Sequence, residues 1–373
     1  MKKDHLFISG PVNIEENVRK AVAEYKDIGH REPEFVELLK QIRKKLLKVF
    51  RANKKEYSAL VFTGSGTSAM EAVMAANIHR GKKALIISNG SFGERFAEIA
   101  KVHKIPYKHL KYKWGEPIKT GKVESTLKKD KKIEAITLTH NETSVAIMNP
   151  VHEIGLLAKK YKKIFIVDSI STVGGEPVNV VKDHIDFATG TAAKALQAMP
   201  VLGIVCAKKA AIKKIRDILP RCFYLDLIKH YEYEEKHNQT PFTPAIPLFV
   251  ALNKALDNLL KEGVKNRIQK YKQNAKMLRK GLQKLGMEFC LPEELRSNIV
   301  AYVMIPKGVK YKKLHKTLKK NGFVIYPGKG PLTGKAMHIA NIGTVNKKTI
   351  SQFLEVMEKA IHKKTQSKLR TCQ

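Results

Sequence analysis

Two residues carry the strongest chemical signal in this sequence, a lysine and an aspartate near the ends of short apolar runs. Lys194 has alanine on both sides, whereas most other lysines lie in polar runs. Partial burial lowers the pKa of a lysine, and such a lysine can form a Schiff base with an aldehyde; taken alone, a lysine in this setting is more often a surface residue. Asp168 ends the apolar run 164–167, where a carboxylate needs a cation or strong hydrogen bonds. A protonated heterocyclic nitrogen would be such a cation; a structural aspartate at a helix N-cap is the alternative.

A glycine-rich segment, residues 63–69 (TGSGTSA), follows another apolar run and precedes a helix-like stretch at 70–78. Glycines let an anion approach the backbone, and a helix N-terminus offers free N–H groups. The segment lacks the Gly-Lys-Ser/Thr of a P-loop. It fits G-x-G-x-x-A, but the next strand ends at Ser88 without the acidic residue that a dinucleotide ribose needs. We favour a phosphate monoester over a dinucleotide, and a plain structural turn remains the other interpretation.

Two more segments at strand ends could contact a ligand ring. Phe92 lies between two glycines and could stack on a flat ring, although an aromatic residue there is more often part of the core. Residues 139–144 (THNETS) form a polar cluster, whose hydroxyls could bind ring or phosphate oxygens; turn and helix-cap chemistry explains them equally well. Together the features require a phosphate, a flat ring, a ring nitrogen that attracts an anion and an aldehyde. Pyridoxal 5′-phosphate (PLP) has all four.

In this interpretation the aspartate and the lysine have separate tasks. Asp168 keeps the ring nitrogen protonated, so that the ring withdraws electrons. Lys194, once a substrate amine has displaced it, becomes the base that moves the substrate's α proton.

The elements that would position these residues alternate between short apolar and longer amphipathic runs from about residue 55 to 210. The candidate strands are residues 59–63, 84–88, 134–139, 164–168, 187–189 and 203–207. They lack strict alternation, which is typical of strands buried on both faces in a mostly parallel sheet with helices on both sides. Ligands of such sheets bind beyond the carboxyl ends of the strands, where the candidate residues lie.

The sequence pattern changes after about residue 250. An amphipathic helix is predicted at 264–285, followed by strands at 298–305, 323–326 and 336–340 and helices at 311–321 and 349–361. A chain of 373 residues has room for two or three domains. We predict an N-terminal arm (1–20), a large cofactor-binding domain (21–255) and a smaller α+β domain (256–373).

The formal net charge of +36 favours one alternative of another class, a protein that binds nucleic acid or another polyanion. The lysine pairs are spread over the whole chain, and the sequence has no zinc-finger spacing, RNP-type aromatic motif or basic region with heptads. A solvated lysine-rich surface explains the charge better. A nucleic-acid partner therefore ranks last.

Cysteine spacing and hydropathy indicate whether the chain has a metal site, a membrane span or a secretory signal. Cys206, Cys222, Cys290 and Cys372 have no metal-binding spacing, so no metal site is predicted. No run of about 18 apolar residues is present, and the N-terminus lacks the long apolar stretch of a secretory signal. We expect a cytoplasmic protein without membrane contact.

The sequence resembles the class V aminotransferases of the fold-type I PLP-dependent group over nearly its whole length. The shared motifs are residues 9–11 (SGP), 63–72, 88–93, 142–143 and 167–169, Gly174-Gly175 and Lys194. Within the class it is most similar to the 2-aminoethylphosphonate–pyruvate transaminases, on residues 224–227 (YLDL), 242–243, 323–329 (FVIYPGK) and 341–343 (NIG). Residues 29–35 (GHREPEF) are more similar to the alanine–glyoxylate branch.

The resemblance implies a role for each candidate residue. Lys194 would bind PLP as a Schiff base, Asp168 would face the pyridine nitrogen, and Phe92 would stack on the ring. Ser65, Gly66 and Thr67 would bind the phosphate, Thr143 would bond the side of the ring that bears the hydroxyl, and Thr240 and Thr243 would reach the phosphate of the partner subunit's cofactor. A homodimer with shared active sites follows. Gly10, Arg31 and His338 would contact the substrate.

Two positions depart from the family pattern. Ala193 stands where members often have a polar amide. His338 stands where the family usually has an arginine that grips the substrate's carboxylate or phosphonate. A histidine gives at most one charged contact, and only when protonated. Either Arg31 or Lys329 supplies the anion clamp instead, or the substrate has a weaker anionic group or none.

The expected function is that of a PLP-dependent aminotransferase. It would take the amino group of a primary amine similar to 2-aminoethylphosphonate and give it to pyruvate or a similar oxoacid, releasing an aldehyde and alanine by a ping-pong mechanism. An aminotransferase of the alanine–glyoxylate or serine–pyruvate type is the first alternative. A PLP lyase or decarboxylase on the same scaffold is the second alternative, because position 338 lacks the usual arginine.

Overall fold

The computed structural model describes residues 4–369. Its strands are β1 (His5–Leu6), β2 (Tyr57–Thr63), β3 (Lys83–Ser88), β4 (Tyr107–Lys111), β5 (Ile133–Thr139), β6 (Asn141–Glu142), β7 (Ile147–Met148), β8 (Ile164–Asp168), β9 (Phe187–Thr191), β10 (Leu202–Lys208), β11 (Val300–Met304), β12 (Phe323–Val324), β13 (Tyr326–Pro327) and β14 (Ala336–Ala340). Its α-helices are α1 (Glu16–Ala23), α2 (Pro33–Val49), α3 (Gly66–Ala76), α4 (Ser91–Val102), α5 (Thr120–Lys129), α6 (Val151–Lys160), α7 (Lys209–Ile215), α8 (Leu227–His237), α9 (Ile246–Glu262), α10 (Val264–Lys284), α11 (Tyr311–Lys320) and α12 (Lys347–Leu369).

A seven-stranded sheet organises the first two thirds of the chain. Its order is β2-β10-β9-β8-β5-β3-β4. β10 runs antiparallel to both of its neighbours, and the remaining pairs are parallel. The predicted mostly parallel sheet is thus confirmed. Since the parallel strands point the same way, the segments that follow β2, β8 and β9 emerge at one edge of the sheet.

Helices cover both faces of this sheet. One hydrophobic cluster joins alternate strand positions to α1, α2, α5, α6 and α9, and a second joins the other positions to α3, α4, α7 and α8. In β2, for example, Ala59 and Val61 belong to the first cluster, whereas Leu60 and Phe62 belong to the second. Burial on both faces explains why these strands are continuously apolar.

The C-terminal part has its own core between α10, α11, α12 and the three-stranded sheet β11-β14-β13. The N-terminal segment joins this core, because β1 pairs in parallel with β12 and Phe7 stacks on Phe353 at 4.3 Å between ring centroids. The α+β character of this part agrees with the prediction. The domain limits 1–20, 21–255 and 256–373 stay a prediction; the boundary at 255/256 falls within α9.

Local differences from the expected elements have physical causes. Each of the six predicted strands is present with its ends within two residues. β4 was missed because it is an edge strand with mostly exposed, lysine-containing residues. The single strand expected at 323–326 is split, because β12 pairs with β1 and β13 pairs with β14. α3 begins at Gly66 rather than near residue 70, which brings the glycine-rich segment into its first turn.

No helix of residues 4–369 is both long enough and apolar enough to cross a bilayer.

A matched pair of glycines tests the packing of α6 against the segment before β9. A Cβ at Gly155 in α6 would overlap the backbone carbonyl of Asp183, whereas a Cβ at Gly121 in α5 would meet nothing within 4 Å. We expect Gly155→Ala to lower the free energy of unfolding by about 1–3 kcal/mol. Gly121→Ala should leave it unchanged or raise it slightly, because alanine favours helix more than glycine does. Urea unfolding measures both, and equal stabilities would contradict this packing.

Candidate active site

A cavity of about 190 Å³ lies at the carboxyl ends of β2, β8 and β9. Residues predicted from the sequence line it: Lys194, Asp168, Phe92, Thr143, Ser65, Gly66, Thr67 and Gly10. Apart from Gly10, which follows β1, they lie after strands that run in the same direction in one sheet, so loops far apart in the chain meet at one end of it.

Asp168 is the last residue of β8 and is only 4% exposed. Its Oδ1 accepts the backbone N–H of Ile170 at 2.9 Å within the turn that follows β8. The helix N-cap that the sequence left open for this aspartate is not present, because the next element along the chain is β9. Burial raises the pKa of this carboxyl to about 6, although the Ile170 hydrogen bond and the positive charge of Lys194 act in the opposite direction. A carboxylate in this position is ready to pair with a cation in the cavity.

Lys194 lies in a tight loop that follows β9. The loop is closed by two backbone hydrogen bonds, from Gln197 N to Lys194 O and from Ala198 N to Ala192 O. Gln197 has a positive φ of 59°, and its side-chain amide donates to the Tyr271 hydroxyl at 2.7 Å and to the Gly343 carbonyl at 2.8 Å. These bonds anchor the loop, so the position of the lysine is fixed by groups distant in sequence.

The amine of Lys194 is tuned by its surroundings. Desolvation lowers its pKa to about 8, against the attraction of Asp168 and with further lowering by Arg95 and Lys329. A substantial fraction of this amine is therefore neutral near pH 8, as a nucleophile or a general base requires.

Phe92 is held by a buried carboxylate. Glu142, fully buried, accepts the backbone N–H groups of Phe92 and Gly93 at 2.9 and 2.8 Å and the hydroxyl of Ser144 at 2.6 Å. Burial raises the pKa of Glu142 against these hydrogen bonds. The sequence left helix capping open as a role for residues 139–144, and Glu142 has it, because it accepts N–H groups in the first turn of α4. Thr143 lies buried in the cavity wall.

The N-terminus of α3 faces the cavity with donors suited to an anion. Ser65 is its N-cap, but its side chain does not cap the helix. Gly66 and Thr67 lie in the first turn, where backbone N–H groups have no intrahelical acceptor. Arg95 adds a cation, because its guanidinium donates to Thr67 Oγ1 at 3.2 Å and lies 4.8 Å above the centre of the Phe92 ring.

Gly10 approaches the lysine so closely that a Cβ there would press on the lysine side chain. Its φ is +140°, and a Cβ would lie 3.0 Å from Lys194 Cγ. Both conditions favour glycine.

Besides His338, three predicted residues do not line the cavity. Thr240 bonds within its own loop, its hydroxyl donating to the Phe242 carbonyl at 2.7 Å, and Thr243 is exposed. Arg31 donates to the carbonyl of Thr240 at 2.8 Å and to the side chain of Gln239 at 3.0 Å. The described chain alone therefore does not bring these residues to Lys194.

His338 lies on β14, is 5% exposed and is not positively charged at neutral pH. Burial, with the charges of Lys329 and Lys194, lowers its pKa to about 3. The charged contact that the sequence allowed for this histidine is therefore absent.

The residues present fit a ligand that has a phosphate, a flat ring and a basic ring nitrogen. Thr139 and Thr189 flank Asp168 in register on β5 and β9, so their side chains share its face of the sheet. Their hydroxyls and that of Ser169 are buried without a hydrogen-bond partner among residues 4–369. Such groups call for an explanation, and a polar ligand beside Asp168 supplies one. Within the same residues no cluster of His, Cys, Asp or Glu could hold a metal ion.

Sequence reasoning missed two residues that shape the cavity, Arg95 and Gln197. The first had a readable signal, because Phe92 and Arg95 are three residues apart on one helix and therefore share a face. The second had none, because its positive φ and its bonds to Tyr271 and Gly343 exist only in the folded chain.

Comparison with known proteins gives consistent matches. The family model described as "Aminotransferase class-V" matches residues 9–343. An uncharacterised aminotransferase of Methanocaldococcus jannaschii is 38% identical over 96% of this chain and 93% of its own. The 2-aminoethylphosphonate–pyruvate transaminase of Lysinibacillus sphaericus is 33% identical over 96% and 97%. The crystal structure of an alanine–glyoxylate aminotransferase from Nostoc sp. superposes with a TM-score of 0.91 and 25% identity, covering 97% of this chain and 96% of that one. The fold is that of the fold-type I aminotransferases.

The buried carboxylate gives a pH-dependent prediction. Asp168 ionises near pH 6 in the folded protein and near 3.8 when unperturbed, so its ionisation destabilises the folded state increasingly between these values and fully above the higher one. In Asp168→Asn the oxygen that accepts from Ile170 is retained and the charge is lost. We expect the ligand-free variant and the ligand-free wild type to have the same free energy of unfolding near pH 4. At pH 7 the free energy of unfolding of the variant should be about 2–3 kcal/mol higher. Urea unfolding at both pH values measures the difference, and a difference independent of pH would contradict the raised pKa.

Proposed function

The chain belongs to the class-V aminotransferases, and we propose that it transfers the amino group of a primary amine to pyruvate or a similar oxoacid with PLP as its cofactor. The single observation that carries the proposal is the meeting of Lys194 and Asp168 in one cavity, each with a pKa moved toward neutrality by burial. Perturbed groups of this kind are typical of catalytic sites.

The cavity offers a binding group for each part of PLP. Ser65, Gly66, Thr67 and Arg95 would bind the phosphate at the N-terminus of α3. Phe92 would stack on the ring, Thr143 would bond its hydroxyl side, and Asp168 would face the nitrogen. When bound, PLP supplies an aldehyde that condenses with amines and a ring that withdraws electrons from the adjacent carbon.

Two side chains then do the proton chemistry. Asp168, as a carboxylate, holds a proton on the ring nitrogen and offsets its positive charge. Lys194, with a pKa of about 8, would take the proton from the carbon that bears the substrate's amino group and deliver it to the carbon of the cofactor's aldehyde group within the same half-reaction. The half-reaction with the oxoacid would run this transfer in the opposite direction. Gly10 and the Gln197 anchor keep the lysine within reach of that carbon.

The identity of the substrates rests on the relatives. The donor proposed is 2-aminoethylphosphonate or a similar amine, and the acceptor is pyruvate, as in the name of the Lysinibacillus sphaericus relative. The products are then an aldehyde and alanine. The first half-reaction must release the aldehyde before pyruvate reacts, which gives ping-pong kinetics.

A homodimer and a cytoplasmic location belong to the same proposal. Thr240 and Thr243 do not line the cavity of their own chain, so they would serve the partner subunit's cofactor. The exposed aromatic residues beside them support an interface: Phe223 is 76% and Tyr224 41% exposed, and both rings contact Phe242.

Isotope transfer tests the function. Purified protein with PLP, ¹⁵N-labelled 2-aminoethylphosphonate and pyruvate should yield ¹⁵N-alanine, followed by mass spectrometry. Lys194→Ala should lower the rate by about a thousandfold or more, because the base and the PLP attachment are both lost. Lys182→Ala, at an exposed lysine outside the cavity, is the control and should keep the wild-type rate.

Two results would contradict the proposal. One is release of the aldehyde, or of carbon dioxide, without alanine from any amine tested, which would indicate a lyase or decarboxylase. The other is a rate pattern that requires donor and acceptor to bind together.

A further inference from the structure

His338 is a neutral hydrogen-bonding group in this chain. It lies in register with Tyr302 on β11 and Tyr326 on β13, and it stacks on Tyr302 with 6.1 Å between ring centroids. Its Nε2 accepts the backbone N–H of Ser9 at 3.3 Å. A neutral imidazole that accepts at one nitrogen carries its proton on the other, so Nδ1 is a donor without a charge.

Tyr302, the residue on which His338 stacks, also positions the backbone of Lys329. The hydroxyl of Tyr302 accepts the Lys329 N–H at 2.8 Å. The next residue, Gly330, has a φ of +51°, and a Cβ there would lie 2.6 Å from the Trp114 ring. Trp114 is itself held by a hydrogen bond to Glu94 at 3.2 Å. The chain on both sides of the Lys329 side chain is therefore fixed.

The Lys329 ammonium lies beside the candidate cofactor site, although Lys329 is not one of the residues that line the cavity. Its Nζ is 5.5 Å from the centre of the Phe92 ring, and Nζ of Lys194 is 5.4 Å from the same centre. The charge of Lys329 is close enough to lower the pKa of both Lys194 and His338. Lys329 is exposed, and no carboxylate of the described chain forms a salt bridge with it. This ammonium is available to a ligand.

The two arginines considered for the site, Arg95 and Arg31, have other partners. Arg95 bonds Thr67 at the N-terminus of α3, on the side proposed for the cofactor's phosphate. Arg31 uses its guanidinium on Gln239, Thr240 and the carbonyl of Pro241. Of the two clamps that the sequence suggested, the geometry favours Lys329.

We propose, on the basis of the aminotransferase function above, that the ammonium of Lys329 binds the acidic group of both substrates while the neutral Nδ1–H of His338 donates to the same group. The substrates are then amines and oxoacids with a compact anionic head. A lysine binds an anion as a point charge, without the planar fork that an arginine offers. One site can therefore accept a tetrahedral phosphonate in one half-reaction and a planar carboxylate in the next.

A pair of acceptors that differ only in the anion tests this assignment. Pyruvate and acetaldehyde share the reacting carbonyl and the methyl group, but only pyruvate has a carboxylate. In Lys329→Met, kcat/KM for pyruvate should fall about 10- to 100-fold through KM, which is the range for a hydrogen bond to a charged group. For acetaldehyde kcat/KM should change much less, because only the influence of the Lys329 charge on Lys194 is lost, so the ratio of the two kcat/KM values should fall about 10-fold or more.

Three controls define the result. Lys329→Arg should restore most of the pyruvate activity, because the charge is kept. Lys335→Met, at an exposed lysine in the same surface segment, should behave as wild type with both acceptors. The amount of bound PLP per subunit and the thermal unfolding of Lys329→Met should match the wild type, because the side chain is exposed.

Two outcomes of these kinetics would overturn the assignment. The first is an unchanged kcat/KM for pyruvate in Lys329→Met. The second is an equal fall for pyruvate and acetaldehyde, which would indicate a role in cofactor placement instead. Either could occur with full transamination by the wild type, so the proposed function would stand. Failure of the wild type to make alanine would instead contradict the proposed aminotransferase function.

Discussion

An unpaired carboxylate buried at the end of a parallel strand is costly, and the active site depends on how that cost is offset. Asp168 has one backbone hydrogen bond and a pKa raised to about 6. The Lys194 amine, in the same cavity, has a pKa lowered to about 8. Each charge stabilises the other only in part, because burial outweighs their attraction in both shifts. In the function we propose, a protonated ring nitrogen of the cofactor would complete the pairing with Asp168.

The scaffold keeps these two groups in place with polar contacts between distant segments. Glu142 binds the start of α4 and so positions Phe92, while Gln197 ties the lysine loop to Tyr271 and Gly343. Tyr302, which lies in register with His338, binds the backbone N–H of Lys329 through its hydroxyl and positions it in a similar way. Rigid neighbours of this kind hold reacting groups at productive distances.

Sequence patterns predicted the parts of the molecule that follow from local chemistry. The six buried strands could be found because both faces are apolar, and Lys194 and Asp168 because each stands near the end of such a strand. The exposed edge strand β4 lacks this signal. The roles of Glu142 and Gln197, and the neutral state of His338, depend on contacts between segments far apart in the chain. The choice between Arg31 and Lys329 depends on which cation has other partners, which only the folded chain defines.

The central claim is that one lysine carries the cofactor beside one buried aspartate, and reduction with borohydride tests it most directly. The holoprotein is reduced, digested and mapped by mass spectrometry. A pyridoxyl group is expected on Lys194 alone, with no label in Lys194→Arg and weaker loading with PLP in Asp168→Asn. A pyridoxyl group on a different lysine, or none on a protein that makes alanine from pyruvate, would contradict the account.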